Sequence, residues 1–286
     1  SERGRGASRV NYALTLPRPE GFLHPDEVAL GEQYLEQGHV IAPVADPGAL
    51  DRLRDAMAVI AARHLGLEPA KDPSAFLDDI HSQVEAVALN ALRMAVINGV
   101  NDLPWARKVY FELARPLLEA IVGNELAMQR RLNLSIQLPG DDSSLLAVHA
   151  DVWDGDSPFE VVVWLPFVDC YDTKTMFLLP PDKGQLVEAR MADFDGAGTD
   201  DLFAAIEDDL IWVDVPYGSV LLFNQNLMHG NRINREGSTR WTMNCRFKAL
   251  FSPYAGKRLG EFFEPITVRP ASRVGMSHEL PGGFVE

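Results

Sequence analysis

L-L-A-V-H-A-D-V-W, residues Leu145–Trp153, is an apolar run that carries one imidazole and one carboxylate, His149 and Asp151. Its composition predicts a strand over Leu145–Val152. Side chains alternate along a strand with period two, which places His149 and Asp151 on one side of it. A histidine and an aspartate on one face make up two-thirds of a three-residue metal site. A second histidine in a comparable setting would complete it.

The chain supplies that histidine at His229, within G-S-V-L-L-F-N-Q-N-L-M-H-G-N-R-I-N, Gly218–Asn234. Gly218-Ser219 reads as a turn and Val220–Phe223 as a short strand, with His229-Gly230 at the end of its continuation. Two histidines and one carboxylate on one side of a metal, with the other side open, is the arrangement that non-haem Fe(II) oxygenases use. Eleven residues beyond His229, Arg240 opens the strand-like run R-W-T-M-N-C-R-F-K-A-L-F. A guanidinium matches a free carboxylate through two parallel bonds, and Thr242 shares its face and adds a hydroxyl.

The chain has 286 residues, 47% of them hydrophobic, enough for a substantial core. No linker rich in Pro, Gly or Ser divides it, so a single domain with insertions is expected. A formal net charge of −15 repels nucleic acid on average, so the expected partner is a small molecule. Cys170 and Cys245 both lie in apolar runs and read as buried reduced thiols. This, with no apolar run of membrane-span length and no signal-peptide core, predicts a cytoplasmic protein without a membrane partner. A homo-oligomer is compatible with the sequence.

In order, residues 1–20 are expected to be flexible and 21–124 mainly helical. Helices are predicted over Asp26–Gly38 (inner face Val28, Leu30, Tyr34, Leu35), Pro47–Leu67, from about Pro73 or His81 to Ile97, and over Pro104–Val122. The apolar stripe of the second is Leu50, Leu53, Met57, Ile60, Ala61 and Leu65. Met94 and Met128 read as core residues, and His24, His39, His64, His81 and His278 as surface or structural histidines. After Gly123 the pattern changes to short β-rich runs at Leu126–Leu138, Leu145–Val152, Glu160–Val168, Thr175–Leu179, Leu210–Val215, Ser219–Phe223 and Arg240–Phe251. The fold class is therefore α+β. The expected core over 125–252 is a double-stranded β-helix (a jelly roll, cupin-like), with the N-terminal helices packed on one sheet and 253–286 as a tail. Residues 181–209 interrupt the core with a predicted helix at Asp200–Asp208.

H-A-D on one strand, H-G after G-S-V-L-L-F, and Arg240 with Thr242 beyond it together resemble the Fe(II)/2-oxoglutarate-dependent dioxygenases, in the phytanoyl-CoA dioxygenase-like branch. The segments L-N-L-S-I-Q-L-P-G-D-D, H-A-D-V-W and M-H-G-N look most like oxygenases of bacterial carbohydrate and aminoglycoside-type gene clusters. The likeness covers about Leu126–Phe251 and implies Fe(II), 2-oxoglutarate and O₂ as cofactor and co-substrates. The family's metal ligands fall on His149, Asp151 and His229, and its 2-oxoglutarate clasp on Arg240, with Thr242 as helper. Asn133 and Gln137, on one face with Ser135, are candidates for the keto-acid end. The carboxylate of Asp151 disfavours halogenation. Hydroxylation of a sugar, a nucleotide-linked sugar or a related natural-product intermediate is the expected biosynthetic reaction. Desaturation, epimerisation and ring formation remain open.

Trp153, Asp154, Ser157 and Glu160 follow the H-A-D strand and are expected at the mouth of the site, Trp153 as a stacking platform. Arg232, Arg235 and Arg246 add positive charge near His229 and are candidates to hold an anionic substrate group. Residues 181–209 lengthen the span from Asp151 to His229 and are read as a lid or a subunit interface. Three other readings are weighed: the same chemistry on an amino acid, acyl or alkaloid-like substrate; a ligand-binding barrel without turnover; and a cupin-type isomerase or lyase, against which Arg240 speaks.

Overall fold

Proline stands at the start of the first three helices, behind an aspartate cap in the second and third, and glycine ends the first. In this computed structural model, which describes residues 21–194 and 198–279, helix α1 (Pro25–Gln37) opens on a capping box between His24 and Glu27 and stops at Gly38, whose φ of 73° favours glycine. The start expected to be flexible, 1–20, lies outside the described residues. Strand β1 (His39–Pro43) leads to α2 (Pro47–His64), where Asp46 accepts from the Ala49 N–H at 3.0 Å. Asp72 caps α3 (Pro73–Asp78) in the same way. Then come α4 (Ala86–Asn101) and α5 (Ala106–Ile121).

The single helix expected up to Ile97 is thus broken. The α3 carbonyl of Leu77 accepts from Trp241 Nε1 at 2.8 Å and that of Asp78 from the Thr239 N–H at 2.8 Å. Bonds to a distant strand take the acceptors that a continuing helix would use.

The remaining elements are β2 (Leu126–Gln129), β3 (Asn133–Gln137), β4 (Glu160–Pro166), β5 (Phe177–Leu178), α6 (Pro181–Ala189), α7 (Thr199–Ile206), β6 (Ile211–Trp212), β7 (Ser219–Asn224), β8 (His229–Gly230), β9 (Arg240–Ala249), β10 (Phe263–Thr267) and α8 (Pro270–Met276). An antiparallel seven-stranded sheet runs β1-β7-β4-β9-β2-β10, with β3 paired to the first half of β9. A three-stranded sheet runs β6-β5-β8. The run Leu126–Leu138 is two strands, because the side chain of Asn101 binds both the N–H and the carbonyl of Leu132 between them.

Period two on β9 sorts the molecule into two sides. Trp241, Met243, Cys245 and Phe247 are fully buried and join Leu50, Leu53 and Met57 of α2, Leu92 and Val96 of α4 and Leu113 of α5 in the main core. The buried Tyr110 hydroxyl lies 2.8 Å from the Val163 carbonyl and 3.1 Å from that of Met243, tying α5 to the sheet. Arg240, Thr242, Asn244 and Arg246 line a cavity on the other side. Leu35 and Met94 face solvent, at 78% and 48% exposure, because among the described residues their side chains are not covered by a neighbouring element. Met128 is buried, and both cysteines are buried and unpaired.

A second core joins Leu202, Phe203 and Ile206 of α7 to Phe177, Val148, Ala150 and Met228. The segment 181–209 therefore packs against the smaller sheet. No helix among the described residues is long and apolar enough to cross a membrane.

Candidate active site

His149 and His229 are brought side by side by a reciprocal backbone bridge. The His149 N–H donates to the His229 carbonyl at 3.0 Å and the His229 N–H to the His149 carbonyl at 2.8 Å. Their ring centroids are 4.2 Å apart. Each Nδ1 lies 2.8 Å from the carbonyl two residues earlier, Ala147 or Leu227. A carbonyl only accepts, so each Nδ1 carries a hydrogen, and in the neutral ring the lone pair sits on Nε2.

The strand expected over Leu145–Val152 does not form. His149 makes the isolated bridge only, and Asp151–Asp154 is a turn of 3₁₀ helix ended by Gly155 in the left-handed region, φ 84°. The turn, rather than strand alternation, brings Asp151 Oδ1 to 3.5 Å from His149 Nε2. The ligating atoms of His149, Asp151 and His229 all lie within 4.8 Å of one another. Gly230 explains the H-G pair: a Cβ there would meet the Leu146 carbonyl at 2.6 Å and the Phe177 ring at 2.8 Å.

Burial pushes the Asp151 carboxyl up. The His149 hydrogen bond and the charges of His229, Arg246 and His149 outweigh it and bring the pKa down to about 2. Burial and the charge of His149 hold His229 down to about 4. At His149 burial acts downward, but the bond to Asp151 and the Ala147 carbonyl prevail and raise the pKa. An ionised carboxylate and two imidazoles that in their neutral form offer Nε2 lone pairs fit a divalent transition metal.

Arg240 is 4% exposed and has no carboxylate within 4.0 Å among the described residues. Its Nη1 donates to the Thr175 carbonyl at 2.9 Å and its Nη2 to Ser135 Oγ at 3.1 Å, while the buried Nε has no partner. Burial pushes the guanidinium down to about 10. A buried cation without a carboxylate partner, on a residue that lines a cavity of about 710 Å³, is suited to an anion. Thr242 and Ser135 are register partners in this wall, and Asn133 donates to Asn244 Oδ1 at 3.0 Å beside them.

Gln137 stands opposite Arg240 in register, but its side chain leaves the cavity and donates to the Arg232 carbonyl at 2.6 Å. The residues expected at the mouth fall elsewhere. Trp153 is 43% exposed and lies off the cavity wall. Ser157 donates to the Pro253 carbonyl at 2.8 Å, and Glu160 accepts from the Ser157 N–H at 3.0 Å. Arg232 pairs with Asp200 at 2.8 Å and stacks on Phe203; the Arg235 side chain is exposed. None of these five lines the cavity, whereas Asp154 does. Arg246 also lines it and meets Asp151 Oδ1 at 3.1 Å. Asn244, Trp164 and Arg93 were not singled out by sequence. Asn244 lies in the alternation of Arg240 and Thr242 and was legible there. Arg93 reaches over from α4, donating to Ser144 Oγ at 2.7 Å, and no sequence spacing ties it to the site.

The sequence matches no family model and no curated protein. Among solved structures it is similar to a non-haem α-ketoglutarate-dependent carbocyclase, SnoK, from nogalamycin biosynthesis: TM-score 0.52 and 15% identity over 86% of this chain and 97% of that one. The chain shares its fold with this enzyme. AviO1 of Streptomyces viridochromogenes Tue57 is similar too, at TM-score 0.50 and 18% identity over 82% of this chain and 99% of that one. At these identities the likeness concerns the fold, and the chemistry is set by the residues of this chain.

Proposed function

We propose that the protein is a single-domain, jelly-roll Fe(II)- and 2-oxoglutarate-dependent oxygenase that oxidises a small, polar molecule. One observation carries this reading: His149, Asp151 and His229 converge at one end of a cavity that also holds the buried, carboxylate-free guanidinium of Arg240. A cupin-type isomerase needs the first and has no use for the second.

His149 Nε2, Asp151 and His229 Nε2 would hold the iron, which with 2-oxoglutarate and O₂ would supply the oxidising power, the keto acid leaving as succinate and CO₂. Arg240, with Ser135 and Thr242, holds the distal carboxylate of the keto acid, and Asn133 and Asn244 border the same wall. The two Nδ1–carbonyl bonds fix the imidazole orientations. Asn231, Ser144 and Lys257 offer polar contacts beside the Trp164 and Phe223 walls, a mixture suited to a sugar-like substrate. Hydroxylation is the simplest outcome. Desaturation, epimerisation and ring closure begin with the same removal of a substrate hydrogen.

The test is succinate release from 2-oxoglutarate under O₂ by the iron-loaded protein across a panel of sugars, nucleotide sugars, amino acids and acyl compounds. His149→Ala and His229→Ala are expected to lose turnover and Co(II) binding together. Wild-type protein that binds neither Co(II) nor 2-oxoglutarate in calorimetry overturns the reading.

A further inference from the structure

Gln225, the residue after β7, is completely buried, and its amide lies between Asp151 and Arg246. The amide orientation follows from its neighbours: nitrogen toward Asp151 Oδ2 and oxygen toward Arg246 Nε at 3.2 Å satisfies both, whereas the reverse sets oxygen against oxygen and N–H against N–H there and gains only a 3.4 Å bond from Gln225 Nε2 to Glu160 Oε2. Arg246 is fixed in turn: its Nη2 is 3.1 Å from Asp151 Oδ1 and its Nε 3.5 Å from Asp156 Oδ1. Asp156, almost fully buried, is held by Lys257 at 2.5 Å. A continuous polar chain therefore runs Lys257–Asp156–Arg246–Gln225–Asp151. It ends on the carboxylate oxygen that is not the one nearest the His149 ring nitrogen.

We propose that Gln225 is a positioning residue for metal binding: it engages Asp151 Oδ2 so that Oδ1, the oxygen beside His149 Nε2, is the one presented to the ion, and Arg246 Nε keeps the Gln225 amide in that orientation. This rests on the metal site proposed above. An aspartate can bind a metal through one oxygen or two, and binding through two would occupy a position that the co-substrates need. A donor on Oδ2 restrains the carboxylate and leaves three protein ligands at three positions.

The test uses Gln225→Met, which keeps length and burial but has no donor, and Gln225→Leu as a second apolar variant. Co(II) is titrated into the full chain under anaerobic conditions, and its visible absorption reports the ligand set. Loss of an outer partner of a metal ligand weakens binding by about 10- to 100-fold. An increase in Co(II) Kd of fivefold or more in either folded variant, with altered absorption bands, supports the proposal. Kd values below fivefold of wild type, or unaltered bands, in both variants overturn it and leave the metal site standing. Wild-type protein that fails to bind Co(II), or a His229→Ala variant that binds it as wild type does, removes the metal site and this inference together.

Discussion

Replacing Arg240 by Met separates the cost of holding a buried charge from its use. Burial lowers the guanidinium from 12.5 to about 10, a shift of about 2.5, or on the order of 3 kcal/mol against the charged form. Met fills a similar length without charge and relieves that cost. Two acceptors, the Thr175 carbonyl and Ser135 Oγ, then lose their donor, at about 1–3 kcal/mol each if they stay dry. These contributions oppose each other, so stability should change by no more than ~3 kcal/mol, a Tm shift of a few degrees. Binding has no such offset. Removing the cationic partner of a buried carboxylate costs about 2–5 kcal/mol, which is roughly 30- to 4,000-fold in Kd. Calorimetric titration of 2-oxoglutarate into Co(II)-loaded wild type and Arg240→Met, alongside thermal unfolding, reads both quantities. A threefold or smaller change in Kd, accompanied by a Tm loss of ten degrees or more, would show that Arg240 serves the fold and would refute its role at the cavity.

Burial lifts the Glu160 carboxyl from 4.5 to about 7, with Asp156 adding to the lift and the Ser157 N–H and Lys248 opposing it. The unfolded chain gives up this proton first, so the stabilisation is complete below pH 4.5 and is lost as pH rises through about 7. Denaturant unfolding between pH 5 and 8 should show wild type losing up to ~3 kcal/mol relative to Glu160→Gln; parallel curves for the two proteins would count against a buried, proton-holding Glu160. Gly230→Ala should leave the helical core intact but push the β8 backbone from Leu146 and Ala147, whose carbonyls a Cβ would meet at 2.6 and 3.0 Å. Co(II) affinity is expected to fall by about tenfold or more, as expected when a ligand's support is displaced, and an unchanged Kd would show that the strand yields without moving His149.

The helical segments and several strands were legible because their signals are local: Asp-Pro and Asp-Pro-Gly starts, Gly38 as a stop, and apolar period on α2. Period two along R-W-T-M-N-C-R marked out the face that carries Arg240 and Thr242, and Asn244 was within its reach. The triad was legible from residue types and order, although the geometry assigned to it was wrong. The sequence V-H-A-D-V-W reads as an alternating strand, whereas Asp151 arrives through a 3₁₀ turn after a one-residue bridge. Local apolar alternation does not say whether a run keeps a regular ladder with its neighbour, and here the pairing is a single bridge at His149.

Residue order alone determined which groups exist to hold a metal and an anion: two histidines, an aspartate and an arginine at characteristic spacings. Tertiary structure decided which other charges share their space. It turned Glu160, Ser157, Arg232 and Arg235 away from the cavity, brought Arg93 in from a helix, and put Gln225 and Arg246 against Asp151. Those outcomes depend on contacts between residues distant in the chain, and the energy of a buried polar group is set by the partners that packing gives it, which no local pattern encodes.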